Sequence, residues 1–182
     1  MQHIYNNDSF GENWFSYPNL YSYVVNKFPS GSHFVEVGSW KGKSSAYMAV
    51  EIANSNKNIK FDCVDTWRGS IEHENIDIEQ LYNTFLSNMK PVADYYSHHR
   101  MTSVEASKLY ENNSLDFVFI DACHEYECVK EDIISWLPKI KNGGVIAGHD
   151  YIPEFFGVVM AVNEILVGKQ LKFQERCWIY QL

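Results

Sequence analysis

Short apolar runs that end in Gly or Asp alternate along the chain with longer stretches whose apolar residues recur at helical spacing. The first run is His33 to Gly38, and a helix-compatible stretch from Ser44 to Ala53 follows it. A second run, Ile59 to Val64, is closed by Asp65. A weaker third spans Tyr95 to Arg100, and the clearest, Leu115 to Ile120, ends in Asp121. From Glu125 to Ile140 the apolar residues Val129, Ile133, Trp136, Leu137 and Ile140 gather on one helix face. Asn142-Gly143-Gly144 then reads as a turn into the fifth run, Val145 to Gly148. Phe155 to Val167 predicts a further helix, after which Leu171 to Gln174 and Cys177 to Leu182 predict two strands close enough to pair as a hairpin.

This alternation predicts βαβ units around a mostly parallel sheet of about seven strands, an α/β fold with a C-terminal antiparallel hairpin. Residues 1–30 precede the first strand. Their helix, Leu20 to Phe28, reads as an N-terminal helical cap over one edge of the sheet or over a pocket. No repeat, low-complexity stretch or linker divides residues 1–182, so one domain is expected.

Composition changes this picture little, since 46% hydrophobic and 21% charged residues are ordinary globular usage. Charge matters more. A formal net charge of -8 would repel a phosphate backbone, and the longest basic cluster, His98-His99-Arg100, is too short to compensate, so no nucleic-acid partner is expected. No apolar run spans a bilayer, and Met1 to Asn13 carry no hydrophobic signal segment, which makes a cytoplasmic protein without a membrane partner the expectation. Cys63, Cys123, Cys128 and Cys177 match neither a Cys-x-x-Cys pair nor a disulfide framework and read as free thiols.

Candidate chemistry collects where the strands end, the rim at which open parallel sheets bind ligands. Asp65, Asp121 and Asp150 follow the second, fourth and fifth runs, and a glycine-containing turn follows the first. One such Asp is commonly just a helix cap or turn former; three on one rim point to a site. Glu36 interrupts an apolar strand, so its carboxylate needs a partner: backbone N–H groups, a cationic ligand or a structural group. Gly38 and Gly42 permit a tight turn and close approach of a ligand. Their spacing is not the dinucleotide Gly-x-Gly-x-x-Gly, and although Gly42-Lys43-Ser44 imitates the end of a phosphate loop, the first glycine of that loop would fall at Val37.

Four segments in order resemble the class I S-adenosylmethionine-dependent methyltransferases, closest to the small O-methyltransferase-like branch that includes sugar O-methyltransferases. They are Glu36 to Ser44, Val64 to Trp67, Phe119 to Tyr126 and Gly143 to Tyr151, and Gly157 to Asn163 resembles the helix that follows. The likeness covers roughly residues 30–182 and implies a Rossmann-like three-layer sandwich. It implies that Glu36, Gly38, Gly42 and Ser44 hold the methionine portion of S-adenosylmethionine, with Ser39, Trp40 and Lys41 supplying backbone contacts. Asp65 would accept from the ribose hydroxyls, Thr66 and Trp67 would follow it along the cofactor with Trp67 against the adenine, and Ser103 would lie at the adenine edge. Asp121 would border the cofactor.

Some members of this group hold a divalent cation that lowers the pKa of the acceptor hydroxyl. The resemblance places such an ion, Mg²⁺ or a transition metal, on Asp121, His149 and Asp150. Two departures stand out: His149 replaces an acid of the metal-dependent sugar enzymes, and Cys123 replaces the Asp suited to general-base work. A metal-free version would use His124 or His149 as base beside Asp121. The reaction implied is methyl transfer to a hydroxyl of a small molecule or sugar, by a chain that could form a homo-oligomer. Arg68 to Pro91, with Glu72, His73 and Glu74, is either a lid or a surface segment. The competing readings are an inactive S-adenosylmethionine-binding partner protein and a nicotinamide-dependent oxidoreductase.

Overall fold

A computed structural model describes residues 1–69 and 77–182. Seven strands form one sheet in the order β3-β2-β1-β4-β5-β7-β6. They are β1 (His33–Val37), β2 (Lys60–Asp65), β3 (Ser97–Arg100), β4 (Leu115–Ile120), β5 (Ile140–Gly148), β6 (Leu171–Gln174) and β7 (Cys177–Gln181). The first five pair in parallel, whereas β7 runs antiparallel to β5 and pairs with β6 as the expected hairpin.

Side chains on a strand point alternately to opposite faces, and that period sorts the helices into two layers. Phe34, Phe61, Phe117 and Phe119 face α1 (Pro18–Lys27), α2 (Lys43–Ser55) and α3 (Ile78–Met89). Val35, Val37, Val118 and Ile120 face α4 (Ser103–Ser107), α5 (Tyr126–Trp136) and α6 (Phe156–Ile165). Three layers result, as the resemblance implied. Glu36 shares the face of Phe34, so its carboxylate is directed at α1 and α2. The helix expected between residues 20 and 28 is α1, which buries Leu20, Tyr21, Val24 and Val25 as part of this layer rather than lying over a sheet edge. Lys57 closes its C-terminal end, its ammonium donating to the carbonyls of Val25, Asn26 and Phe28 at 2.6, 2.9 and 2.7 Å.

Three expectations need correction. The helix predicted to run to Ile140 stops at Trp136, because Leu137-Pro138-Lys139 tighten into a 3₁₀ turn that leads straight into β5. Asn142-Gly143-Gly144 do not form a turn before the strand; they lie within β5 as an irregularity where the register against β4 jumps between Leu115 and Phe117. The segment offered as a lid is divided. Residues 70–76, including Glu72, His73 and Glu74, lie outside the described residues, while α3 buries Leu81, Phe85 and Met89 in the core and is no lid.

A buried carboxylate sets a testable pH dependence. Asp132 on α5 is 5% exposed, and burial pushes its carboxyl up to about 6, against the Ser103 hydroxyl that favours the anion. The folded chain therefore holds a proton there that the unfolded chain releases near pH 4, so stability falls as pH rises from about 4 to about 6. Asp132→Asn is expected to remove that slope and to be more stable above pH 7 by about 1–3 kcal/mol, read from urea unfolding across pH. A variant with the wild-type slope would exclude Asp132 as its source.

Candidate functional site

The sheet order reverses between β1 and β4, and the two strands end side by side at that point. Ladder hydrogen bonds continue past the strand ends and fix the rim. Gly38 N–H donates to the Val64 carbonyl (2.8 Å), Asp121 N–H to Val37 (2.8 Å) and His149 N–H to Ile120 (3.1 Å). Gly38 sits at φ +91°, and a Cβ added there would lie 1.8 Å from the carbonyl oxygen of Asp121. The turn after β1 and the acid after β4 are thus in backbone contact, which only glycine permits.

Glu36 finds its partners within the protein. Tyr21 donates to Oε1 at 2.7 Å, Ser39 to Oε2 at 2.9 Å, and Ser45 also donates to Oε2. Burial raises its pKa, while these hydroxyls and Ser44 act in the opposite direction. The carboxylate is fully buried, so what it does to the turn it does by holding Ser39 and the first turn of α2. Gly42, at φ +88°, begins that helix against Met89 and Phe85. Lys41 turns outward to Glu12 at 3.2 Å.

Asp65 ties two turns together. Its Oδ2 accepts from Trp40 N–H at 2.8 Å and its Oδ1 from Trp67 N–H at 2.7 Å. Both tryptophans have left-handed backbones, φ 48° each, a conformation that bulky residues seldom adopt, and the carboxylate offsets that strain. Burial raises the Asp65 pKa and the backbone donors oppose it. Thr66, next in line, uses its hydroxyl to accept from Arg68 N–H at 3.2 Å.

Glu36, enclosed by Tyr21, Ser39 and Ser45, is not open to the methionine portion, and two further expected cofactor contacts do not survive the geometry. Trp67 is 0% exposed, donates its indole N–H to the Trp40 carbonyl at 2.8 Å and packs against Phe85 and Tyr82, so neither ring face is open to an adenine. Ser103 accepts from the Trp136 indole at 2.8 Å and is directed into α5. Both residues brace the loops next to the site.

At the ends of β4 and β5, acids and imidazoles converge. Asp150 Oδ2 lies 3.1 Å from His124 Nε2 and 3.3 Å from His149 Nδ1, and Asp121 Oδ1 lies 3.8 Å from the same Nδ1. Despite the opposing effect of burial, the His124 and His149 contacts hold the Asp150 carboxyl well below the usual carboxylate range. Burial lowers the His149 pKa, but the hydrogen bond to Asp150 and the two negative charges outweigh it, leaving the ring above its ordinary value. Burial raises the pKa of Asp121, and the His149 charge and Tyr17 hydroxyl partly offset this.

Ligand atoms of Asp121, His124 and Asp150 all lie within 4.8 Å of one another, and among the described residues no other three acids, thiols or imidazoles meet so closely. The expected metal set named His149; the close cluster holds His124 in its place, because His149 directs Nε2 at Ser16 (2.8 Å) and Nδ1 at Asp150, with 4% of its side chain exposed against 19% for His124. Ile120, Cys123, Val129, Val158 and Trp178 line a small recess together with Asp121, His124 and His149 of the cluster. Ser16, Tyr17, Tyr21 and Ser45 are the rim partners that sequence reasoning missed. Ser16 and Tyr17 meet residues 133 and 104 positions away, which no local pattern marks.

A family model described as a methyltransferase domain matches residues 35–151, which takes in all of these rim acids. The fold is similar to that of the O-methyltransferase NovP, with a TM-score of 0.67 and 15% identity over 90% of this chain and 78% of that one. It is similar also to CalS11, described as a TDP-rhamnose 3′-O-methyltransferase, with a TM-score of 0.66 and 14% identity over 90% and 76% of the two chains. An uncharacterized protein of Sinorhizobium fredii, y4gI, is 29% identical over 116 residues, 64% of this chain; the match spans 13% of the length of that relative. No helix among the described residues is long and apolar enough to cross a membrane.

Proposed function

Because the chain belongs to the methyltransferase-domain family, we propose that it transfers a methyl group from S-adenosylmethionine to a hydroxyl of a small molecule or sugar, residues 1–182 acting as one domain. One observation supports this reading: the Gly38 turn abuts the Asp121 backbone, so a cofactor held at that turn would lie directly beside the cluster of acids and imidazoles. Gly38 to Gly42 would receive the methionine end. Asp65, held by the backbone N–H groups of Trp40 and Trp67, would accept from the ribose hydroxyls.

The hydroxyl proton must leave as the oxygen attacks the sulfonium methyl. His124 fits that task better than His149, being the more exposed imidazole and held by Asp150. His149 is buried, fixed at both nitrogens and biased toward its charged form, so it supports Asp150 and Asp121 electrostatically. The same residues fit a divalent cation: two carboxylates and one imidazole within 4.8 Å make a mixed oxygen and nitrogen donor set that suits a transition ion better than Mg²⁺. Bound there, the ion would lower the pKa of the acceptor hydroxyl. The NovP and CalS11 likenesses support a small-molecule or sugar acceptor for this chain.

The test is release of S-adenosylhomocysteine from S-adenosylmethionine over a panel of sugar and phenolic hydroxyl acceptors, with Mn²⁺, Mg²⁺ or EDTA. Turnover with at least one acceptor is expected, greater with Mn²⁺ than with Mg²⁺. Asp65→Asn should weaken S-adenosylhomocysteine binding about tenfold or more, as loss of a charge-assisted acceptor does. Tight cofactor binding with no turnover on any acceptor would leave a binding protein in place of an enzyme.

A further inference from the structure

The residues just before α1 reach the rim from far away in sequence. Ser16 Oγ lies 2.8 Å from His149 Nε2 across 133 residues, and Tyr17 donates its hydroxyl to Asp121 Oδ2 at 2.7 Å across 104 residues. Tyr17 is 1% exposed, and its ring packs on Phe119 and on the His149 imidazole at 4.4 and 4.8 Å between centroids, so the hydroxyl has no freedom to swing away. The arm that carries it is anchored further along the same rim, by Glu12 on Lys41 and by the Trp14 ring against Trp40 at 5.9 Å.

These contacts have a directional consequence. A carboxylate free to rotate offers either oxygen; with Oδ2 of Asp121 engaged by the phenol, Oδ1 is the oxygen that faces His149 and the cluster. His149 is likewise held on both sides, its Nδ1 on Asp150 and its Nε2 accepting from Ser16 when the ring is neutral. Groups of this kind around a metal site set ligand orientation, and their loss typically costs 10–100-fold in affinity.

We propose that Ser16 and Tyr17 form a positioning pair, in which Tyr17 aims the Asp121 carboxylate and Ser16 fixes His149, so that the cluster presents preset donors to a divalent cation. This rests on the metal reading above. Removing the phenol oxygen leaves the ring and its packing in place, so Tyr17→Phe isolates the hydrogen bond. Calorimetric titration with Mn²⁺ should show affinity about tenfold weaker or more for Tyr17→Phe and a smaller loss for Ser16→Ala, because Ser16 acts through His149 and not on a carboxylate of the cluster, with S-adenosylhomocysteine affinity unchanged in both. A purely structural hydroxyl would lower the melting temperature and leave Mn²⁺ affinity alone. Equal Mn²⁺ affinity of Tyr17→Phe and wild type overturns the inference by itself. Should Tyr17→Phe not fold, Ser16 is exposed and its Ala variant carries the test: Mn²⁺ affinity equal to wild type overturns the pairing. Wild-type protein that binds no Mn²⁺ overturns the metal reading, and this inference with it.

Discussion

Gly38→Ala is expected to lower the melting temperature by about 6–20 °C and to abolish S-adenosylmethionine binding. Two effects add at this position. A Cβ is strained at φ +91°, by about 1–2 kcal/mol. It would also sit 1.8 Å from the Asp121 carbonyl oxygen and 2.9 Å from the Ala122 Cα, both backbone atoms. Neither can retreat cheaply, because Asp121 N–H is bonded to Val37 and Gly38 N–H to Val64. Opening the rim would break those bonds, adding about 2–3 kcal/mol. A chain of this size loses about 2–4 °C per kcal/mol, which gives the expected drop.

Gly31 supplies the control, because it has the same φ of +91° with nothing within 4 Å of an added Cβ. Gly31→Ala should therefore show the strain alone, a loss of about 2–8 °C, with cofactor affinity intact. Differential scanning calorimetry of both variants, with S-adenosylhomocysteine titrations, separates strain from collision. Melting temperatures for the two that agree within about 2 °C, on the same scale, would show that the rim yields and that Gly38 is not required for the close approach.

Why Gly38 was legible in the sequence and other rim residues were not follows from the range of the interactions. Glycine after an apolar run, and Asp65, Asp121 and Asp150 after three others, are local features whose place at the strand ends follows once the alternation of runs and helices is read. Trp67 shows the limit of local reading. A Trp two residues past a strand-end Asp looks the same whether it faces a ligand or the core, and what decides is α3, whose Phe85 and Tyr82 close over it. Ser103 fails likewise, since its hydroxyl answers to Trp136, 33 residues further on.

The choice between His124 and His149 depends on still subtler geometry. Both flank Asp150, and only the arm before α1, through Ser16, turns one of them away from the open side. That arm read as a cap, with no pattern in Tyr17-Pro18-Asn19 to announce a contact with Asp121. The length of β5 was misread for a related reason: Asn-Gly-Gly is turn chemistry locally, yet β4 and the C-terminus hold it in the sheet, with Gly143 N–H donating to the Leu182 carbonyl at 2.9 Å.

Asp121→Asn is expected to reduce kcat for methyl transfer by about 10²–10⁴ while changing cofactor affinity less than about threefold. The side chain keeps its shape and the amide oxygen can still accept from Tyr17, so the fold has little reason to respond. What changes is charge. Asp121 is one of two carboxylates facing His149 and one of three groups whose ligand atoms lie within 4.8 Å. Neutralising it withdraws a negative charge from the point where an acceptor hydroxyl loses its proton, whether that proton goes to His124 directly or is acidified by a cation. Mn²⁺ affinity should fall with kcat, because an amide oxygen is a weaker ligand than a carboxylate. The histidines then divide the roles. His124→Gln should lower kcat about as far as Asp121→Asn, whereas His149→Gln should cost about tenfold, since His149 acts through Asp150 and Asp121. Steady-state kinetics of the three variants at saturating S-adenosylmethionine tests this order. A larger loss at His149 than at His124 would reverse the assignment of the base, and an Asp121→Asn enzyme within threefold of wild type would remove the cluster from the reaction.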